Sequence, residues 1–139
     1  MMDVLGSVLN VLTFAVGALG SISLLVGGVG ILTIMTIAVT ERTNEIGLLS
    51  ALGATRAHVL ALFLTEATLL AAAGGAFGLL IGAGGAWLLG QAIPALPVHV
   101  SWQYVTAAEL LAAIIGLLAG VLPARRAARM DPVEALRAE

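Results

Sequence analysis

Two long uncharged stretches constrain this chain more than any other feature. Val4 to Val39 and Ala67 to Ala108 contain no Asp, Glu, Lys or Arg. A soluble domain carries roughly 25% charged residues. Here the charged fraction is 10%, the hydrophobic fraction 60% and the mean hydropathy +1.11. Runs of this length and composition are solvated by lipid, and a backbone in lipid has to satisfy its own hydrogen bonds within helices. The fold class that follows is an all-α integral membrane protein.

Between the two runs lies a polar island, Thr40 to Thr55, reading TERTNEIGLLSALGAT. Glu41, Arg42 and Glu45 make one end polar, and Ile46, Leu48, Leu49 and Leu52 follow at spacings expected to gather on one side of a short amphipathic helix. Gly53 is placed to take the left-handed conformation that ends this helix, and Thr55 to cap the next by accepting from a free backbone N–H. Helix, break and second helix thus follow within one short segment, beside Gly47 and Arg56.

The residue inventory excludes several kinds of chemistry. With no cysteine, and with His58 and His99 far apart, the sequence has neither a disulfide framework nor metal-ligand spacing. Six Arg against eight acidic residues leave no basic surface for nucleic acid. A phosphate-cradling P-loop needs a Lys, and there is none, so no Gly-rich run here binds nucleotide in that way. No catalytic residue and no cofactor are expected, and any ATP chemistry is expected in a partner or in a part of the protein outside this sequence.

The first run lacks a positive n-region and is too long for a signal peptide. As one helix it would extend about 54 Å against about 30 Å of hydrocarbon. The surplus is expected to project from the N-terminal end, the alternative being a tilted or broken helix. Gly17, Gly20, Gly27, Gly28 and Gly30 thin this helix. In the second run Gly74, Gly78 and Gly82 fall four residues apart, a small-xxx-small stripe suited to helix packing, unless Gly-rich composition alone produced it. Glu66 is expected inside the hydrocarbon, where a carboxylate has to be neutralised, paired or turned inward. Pro94 and Pro97 break the outer connection, which Trp87, Trp102 and Tyr104 flank as an interface belt would. Glu109 is expected to reach the headgroup region, and Gly116 and Gly120 repeat the four-residue spacing.

The expected spans are about 14–39, 57–90 and 102–122, with the amphipathic helix at about 41–52 and a tail at 123–139. Arg42 and Arg56 lie in the first connection, and Arg125, Arg126, Arg129 and Arg137 follow the last span. The outer connection has no Arg, so the positive-inside rule places the island and the C-terminus in the cytoplasm. In the tail Pro123 is expected to end the membrane helix. Asp131 and Pro132 read as N-cap and first position of a final short helix.

GGVGILTIMTIAVTERTNEIGLLSALGATRAHVLALFLTEA, the Gly-rich helix after it and the ending LPARRAARMDPVEAL together resemble the C-terminal permease portion of the MacB/FtsX-like family of bacterial ABC transporters. The likeness covers about Ser21 to Leu136. It rests on T-E-R-x-x-E-I-G, A-L-G-A and P-A-R-R-A-A-R-x-D-P occurring in that order. The resemblance implies four transmembrane helices with a large extracytoplasmic domain between the first two, so the three spans here correspond to the second to fourth. The first helix, the extracytoplasmic domain and the ATPase then lie outside this sequence. It also implies that the helix at 41–52 is a cytoplasmic coupling helix docking on an ABC ATPase, that the protein pairs with a second permease as a homo- or heterodimer, and that it is a multi-pass inner-membrane protein. Many relatives carry basic residues just after E-I-G, where this chain has Leu49 and Ser50, which implies more apolar and less salt-sensitive docking.

The expected function is the mechanotransmission part of an ABC-type export or efflux system. Two other classes remain open: a fragment of an ion-coupled secondary transporter using Glu66, and a truncated structural membrane protein.

Overall fold

The computed structural model describes residues 1–94 and 98–137. Pro97, expected to help break the outer connection, lies outside the described residues, as do tail residues Ala138 and Glu139. Five helices follow one another: α1 (Met2–Glu41), α2 (Thr43–Ala51), α3 (Arg56–Ala92), α4 (Trp102–Ala128) and α5 (Pro132–Arg137). No strand occurs among the described residues, and α1, α3 and α4 are each long and apolar enough to cross a membrane.

α1 is one unbroken helix of 40 residues, about 60 Å at 1.5 Å per residue. Its hydroxyls donate to carbonyls four residues back, as Thr13 does to Leu9 at 2.8 Å and Thr36 to Leu32 at 2.7 Å, so these polar side chains need no partner helix. Every residue from Met1 to Ser23 is exposed, and partial burial begins at Leu24. Of the glycines that thin this helix, Gly28 makes the closest approach: a Cβ there would lie 3.0 Å from Ile115 Cγ2 of α4.

α3 and α4 share the most extensive contact. Ala67, Ala71 and Gly75 form one stripe of α3, and Gly120, Gly116 and Ala112 the facing stripe of α4. A Cβ on Gly120 would sit 2.5 Å from that of Ala67, one on Gly116 would collide with that of Ala71, and one on Gly75 would lie 3.1 Å from that of Ala112. The backbones thus touch, as lipid-embedded helices with small facing residues can. Gly116 and Gly120 lie in this seam, whereas Gly74, Gly78 and Gly82 are exposed in the single chain and have no atom within 4 Å of an added Cβ. The seam runs one residue further along, through Gly75, because Ala67 and Ala71 set the phase of the buried face.

Where the helices converge, Met35 and Val39 of α1, Ile46 of α2, Val59, Phe63 and Ala67 of α3, and Ala124 and Ala127 of α4 form one apolar core. This core corrects the expectation that Pro123 ends the helix. α4 does not stop at Pro123 but continues to Ala128. Pro123 is fully buried, with Ala124 and Ala127 at 0% and 1% exposure. Packing of that turn outweighs the one backbone hydrogen bond a helical Pro forfeits.

The helix ends are locally encoded. After α2, Gly53 takes φ +102°, its N–H donates to Ser50 O at 3.2 Å, and the N–H of Ala54 donates to Leu49 O at 3.1 Å, the two bonds of a Schellman stop. Thr55 then accepts from the N–H of His58 at 3.2 Å to start α3. Asp131 accepts from the N–H of Val133 at 2.9 Å to start α5. Gly53→Ala places a Cβ in the left-handed region and is expected to cost about 1–2 kcal/mol, read as a lower thermal midpoint in mild detergent with helix content unchanged.

Candidate coupling surface

α2 has two faces of opposite character. Thr43, Ile46, Gly47 and Ser50, spaced three and four apart, turn inward, with Ile46 and Gly47 buried. Glu45, Leu48, Leu49 and Leu52 lie on the opposite side of the helix and are exposed, the leucines by 54%, 39% and 79%. The sequence reading put Ile46 with the three leucines. The structure separates it: Leu48, two residues on, points nearly oppositely, and although Leu49 is only about 60° around the helix from Ile46, Ile46 alone of the four packs into the core with Met35, Val39, Val59 and Phe63.

The inward face is closed by α5, a contact that reading the elements separately did not anticipate. A Cβ on Gly47 would lie 2.7 Å from Ala135 Cβ and 3.4 Å from the backbone N of Leu136. Gly47 therefore lets the C-terminal helix lie against α2, and Ala135 is 3% exposed. Facing small residues, Gly47 and Ala135, were the available signal. Val133 and Leu136 of α5 remain exposed.

The polar residues divide as well. Glu41, Glu45 and Arg56 are exposed. Arg42 occupies the single non-helical position between α1 and α2, with φ −96° and ψ 19°, and its Nη1 lies 3.5 Å from Oε1 of Glu66 on α3. Glu66, placed by sequence deep in hydrocarbon, is thus paired, and Arg42 turns toward α3. Arg56, Arg125 and Arg129 line one shallow hollow together with Ala57, Leu60 and Ala128. Arg126, Arg129, Asp131 and Glu134 line another beside Thr43. The Arg residues of the first connection and of the tail are therefore gathered at the end of the bundle that carries α2.

At the opposite end the outer halves of α3 and α4 bound an open crevice of about 1090 Å³, lined by Gly75, Gly78, Gly82, Trp102, Tyr104 and Glu109 among others. Trp87, Trp102 and Tyr104 are exposed there, by 62%, 78% and 79%. Glu109, expected to reach outward to headgroups, instead has its Oε2 buried without a hydrogen-bond partner among the described residues. A Cβ on Gly75 would come within 2.7 Å of that oxygen. No group of His, Cys, Asp or Glu among the described residues is arranged to hold a metal ion.

Residues 17–132 match the family model described as FtsX-like permease C-terminal. The chain belongs to the FtsX-like permease family. It is 47% identical over 135 residues to the ABC transporter permease YknZ of Bacillus subtilis, covering 97% of this chain and 34% of that protein. It is also 47% identical over 130 residues to the macrolide export ATP-binding/permease protein MacB of Wolinella succinogenes, covering 94% of this chain and 20% of MacB. The pyoverdine export ATP-binding/permease protein PvdT of Pseudomonas savastanoi is 44% identical over 132 residues, again 94% of this chain and 20% of the relative. The chain thus spans between a fifth and a third of the length of these relatives. Family membership and the three apolar helices make this an all-α membrane protein of the ABC transporter permease class. The helix with the divided faces lies inside the matched segment, as do both halves of the α3–α4 seam.

Proposed function

We propose that this chain transmits force between an ATP-hydrolysing partner and the outer face of a bacterial inner membrane, with α2 as the coupling helix. The observation that carries the reading is the exposed face of Leu48, Leu49 and Leu52. It stands on a helix whose other face is locked into the core, so a push on the leucines moves the bundle rather than the helix alone. Each leucine buried by a partner contributes roughly 1.5–3 kcal/mol before ordering losses. The Arg-rich end that presents α2, and with it the C-terminus, faces the cytoplasm by the positive-inside rule. There α2 meets an ABC ATPase, whether a separate subunit or an ATP-binding portion of the kind named in MacB and PvdT.

α1 is the route outward, since it is exposed from Met2 to Ser23 along a continuous rod. The exposed Gly74, Gly78 and Gly82 offer a close-approach face to a helix of a second permease, homo- or heterodimeric, within the lipid. The work done is export or another extracytoplasmic task. A secondary transporter using Glu66 is disfavoured by that residue's pairing with Arg42 near the α2 end.

The test is purification of a tagged chain from its native membrane in mild detergent, combined with thiol labelling in intact cells. An ATP-hydrolysing protein is expected to co-purify. Ser50→Cys is expected to be shielded from an impermeant thiol reagent, and His99→Cys labelled. Absence of an ATPase, or labelling at Ser50 alone, overturns the reading.

A further inference from the structure

The motif residues Arg42 and Glu66 are drawn together by the fold, and neither is accounted for by the exposed leucine face. Arg42 is the one residue that interrupts the helix between α1 and α2. The Thr43 hydroxyl donates to Thr40 O at 2.7 Å and to Val39 O at 3.2 Å, satisfying carbonyls at the end of α1. Such a joint is well bonded locally, and the direction α2 takes is set by what its side chains meet: Ile46 in the core, Gly47 against α5 and Arg42 against α3. Glu66 is different in kind. It precedes Ala67, which is fully buried and faces Gly120, so its backbone is fixed to the α3–α4 seam.

α1 and α3 touch only sparingly, and the Arg42–Glu66 contact bridges them at the joint. Among the described residues it is the single ion pair, although Glu41 and Glu45 are closer to Arg42 in sequence. From this placement we infer that Arg42 and Glu66 are a positioning pair, setting the angle at which the coupling helix leaves α1 relative to the α3–α4 seam. The purpose of that angle rests on the coupling function proposed above; the geometry does not.

With the two side chains 51% and 36% exposed, the pair is a modest contributor to overall stability. Ile46 in the core and Gly47 against Ala135 hold the inward face of α2, so the pair adjusts the angle at the joint only within the limits that this packing leaves. Losing the pair leaves the fold standing and widens the range of α2. In the working transporter, movement of α2 then reaches α1 through the backbone but reaches α3 less directly.

The test uses the full chain in lipid nanodiscs, spin-labelled at Asn44→Cys on α2 and Ala61→Cys on α3, with distances read by double electron–electron resonance. The parent is expected to give one narrow distribution. Glu66→Gln, nearly isosteric, and Arg42→Gln are each expected to raise the population outside that peak about two- to fivefold, the range an exposed ion pair supports. The exchanged pair, Arg42→Glu with Glu66→Arg, is expected to restore the narrow peak. Helix content and thermal midpoint are measured on every variant, so that a distribution widened by loss of fold is recognised. An unchanged distribution in Glu66→Gln overturns the inference. So does broadening that the exchange fails to reverse, which assigns the effect to packing rather than charge pairing. Co-purification of an ATPase with the parent chain is scored separately. Its failure removes the coupling function and leaves the positional result intact.

Discussion

Gly120→Leu is expected to part α3 from α4 and lower the thermal midpoint of the chain more than any substitution on the exposed glycine stripe. A single Cβ at Gly120 already falls 2.5 Å from Ala67 Cβ, with Leu64 Cδ2 at 3.8 Å. Real side-chain carbons do not approach so closely, and Ala67 is fully buried on a helix whose next turn, at Ala71, is pressed against Gly116. Neither side can yield by rotating a flexible side chain, so the axes themselves have to separate. Separation strips contact from Ala67, Ala71, Ala124 and Ala127 together, and overpacking of this kind is expected to cost about 3 kcal/mol. Gly78→Leu is the matched control, since an added Cβ there meets nothing within 4 Å. It is expected to leave the midpoint of the isolated chain unchanged. The measurement is thermal loss of helix signal in a mild detergent for parent and both variants. Equal destabilisation at the two sites would show that α3 is rotated from the phase described here.

That contrast marks what the sequence could and could not disclose. Features decided within a few residues were legible. Gly53 ends α2, Thr55 opens α3 and Asp131 opens α5 because capping is chemistry between near neighbours. The three long helices were legible because lipid allows little else for such runs. What a local pattern leaves open is phase. Gly74 and Gly75 stand side by side in sequence, each in a small-residue pattern, and only the partner helix decides which faces inward. Ile46 was grouped with the leucines for the same reason: the core beneath α2 comes from α1, α3 and α4, which a local pattern does not contain. Pro123 is normally a stop, yet its turn is held by packing contributed from elsewhere in the bundle. The partners of Glu66 and Glu109 are likewise decided by tertiary placement. The first found Arg42, and the second was enclosed beside Gly75.

Leu49→Glu is expected to abolish co-purification of the ATPase while leaving the chain folded, and Ile46→Asp is expected to do the reverse in kind. Leu49 is 39% exposed between Leu48 and Leu52, so a carboxylate there remains hydrated in the free protein and costs the fold little. On docking, the same carboxylate would have to enter an apolar contact without a partner. The loss of one buried leucine, roughly 1.5–3 kcal/mol, already weakens binding by about tenfold or more, and burial of the new charge adds to it. Partner-stimulated ATP turnover should fall with it. Ile46 is 4% exposed inside the core formed with Met35, Val39, Val59 and Phe63. Aspartate at that position removes an apolar side chain from the core and buries a charge there, so the thermal midpoint should fall sharply before docking can be scored. The pair of results separates surface from core on one short helix. If Leu49→Glu retains the ATPase while Glu66→Gln stops transport, coupling does not pass through the leucine face of α2, and ion-coupled transport through Glu66 becomes the better account.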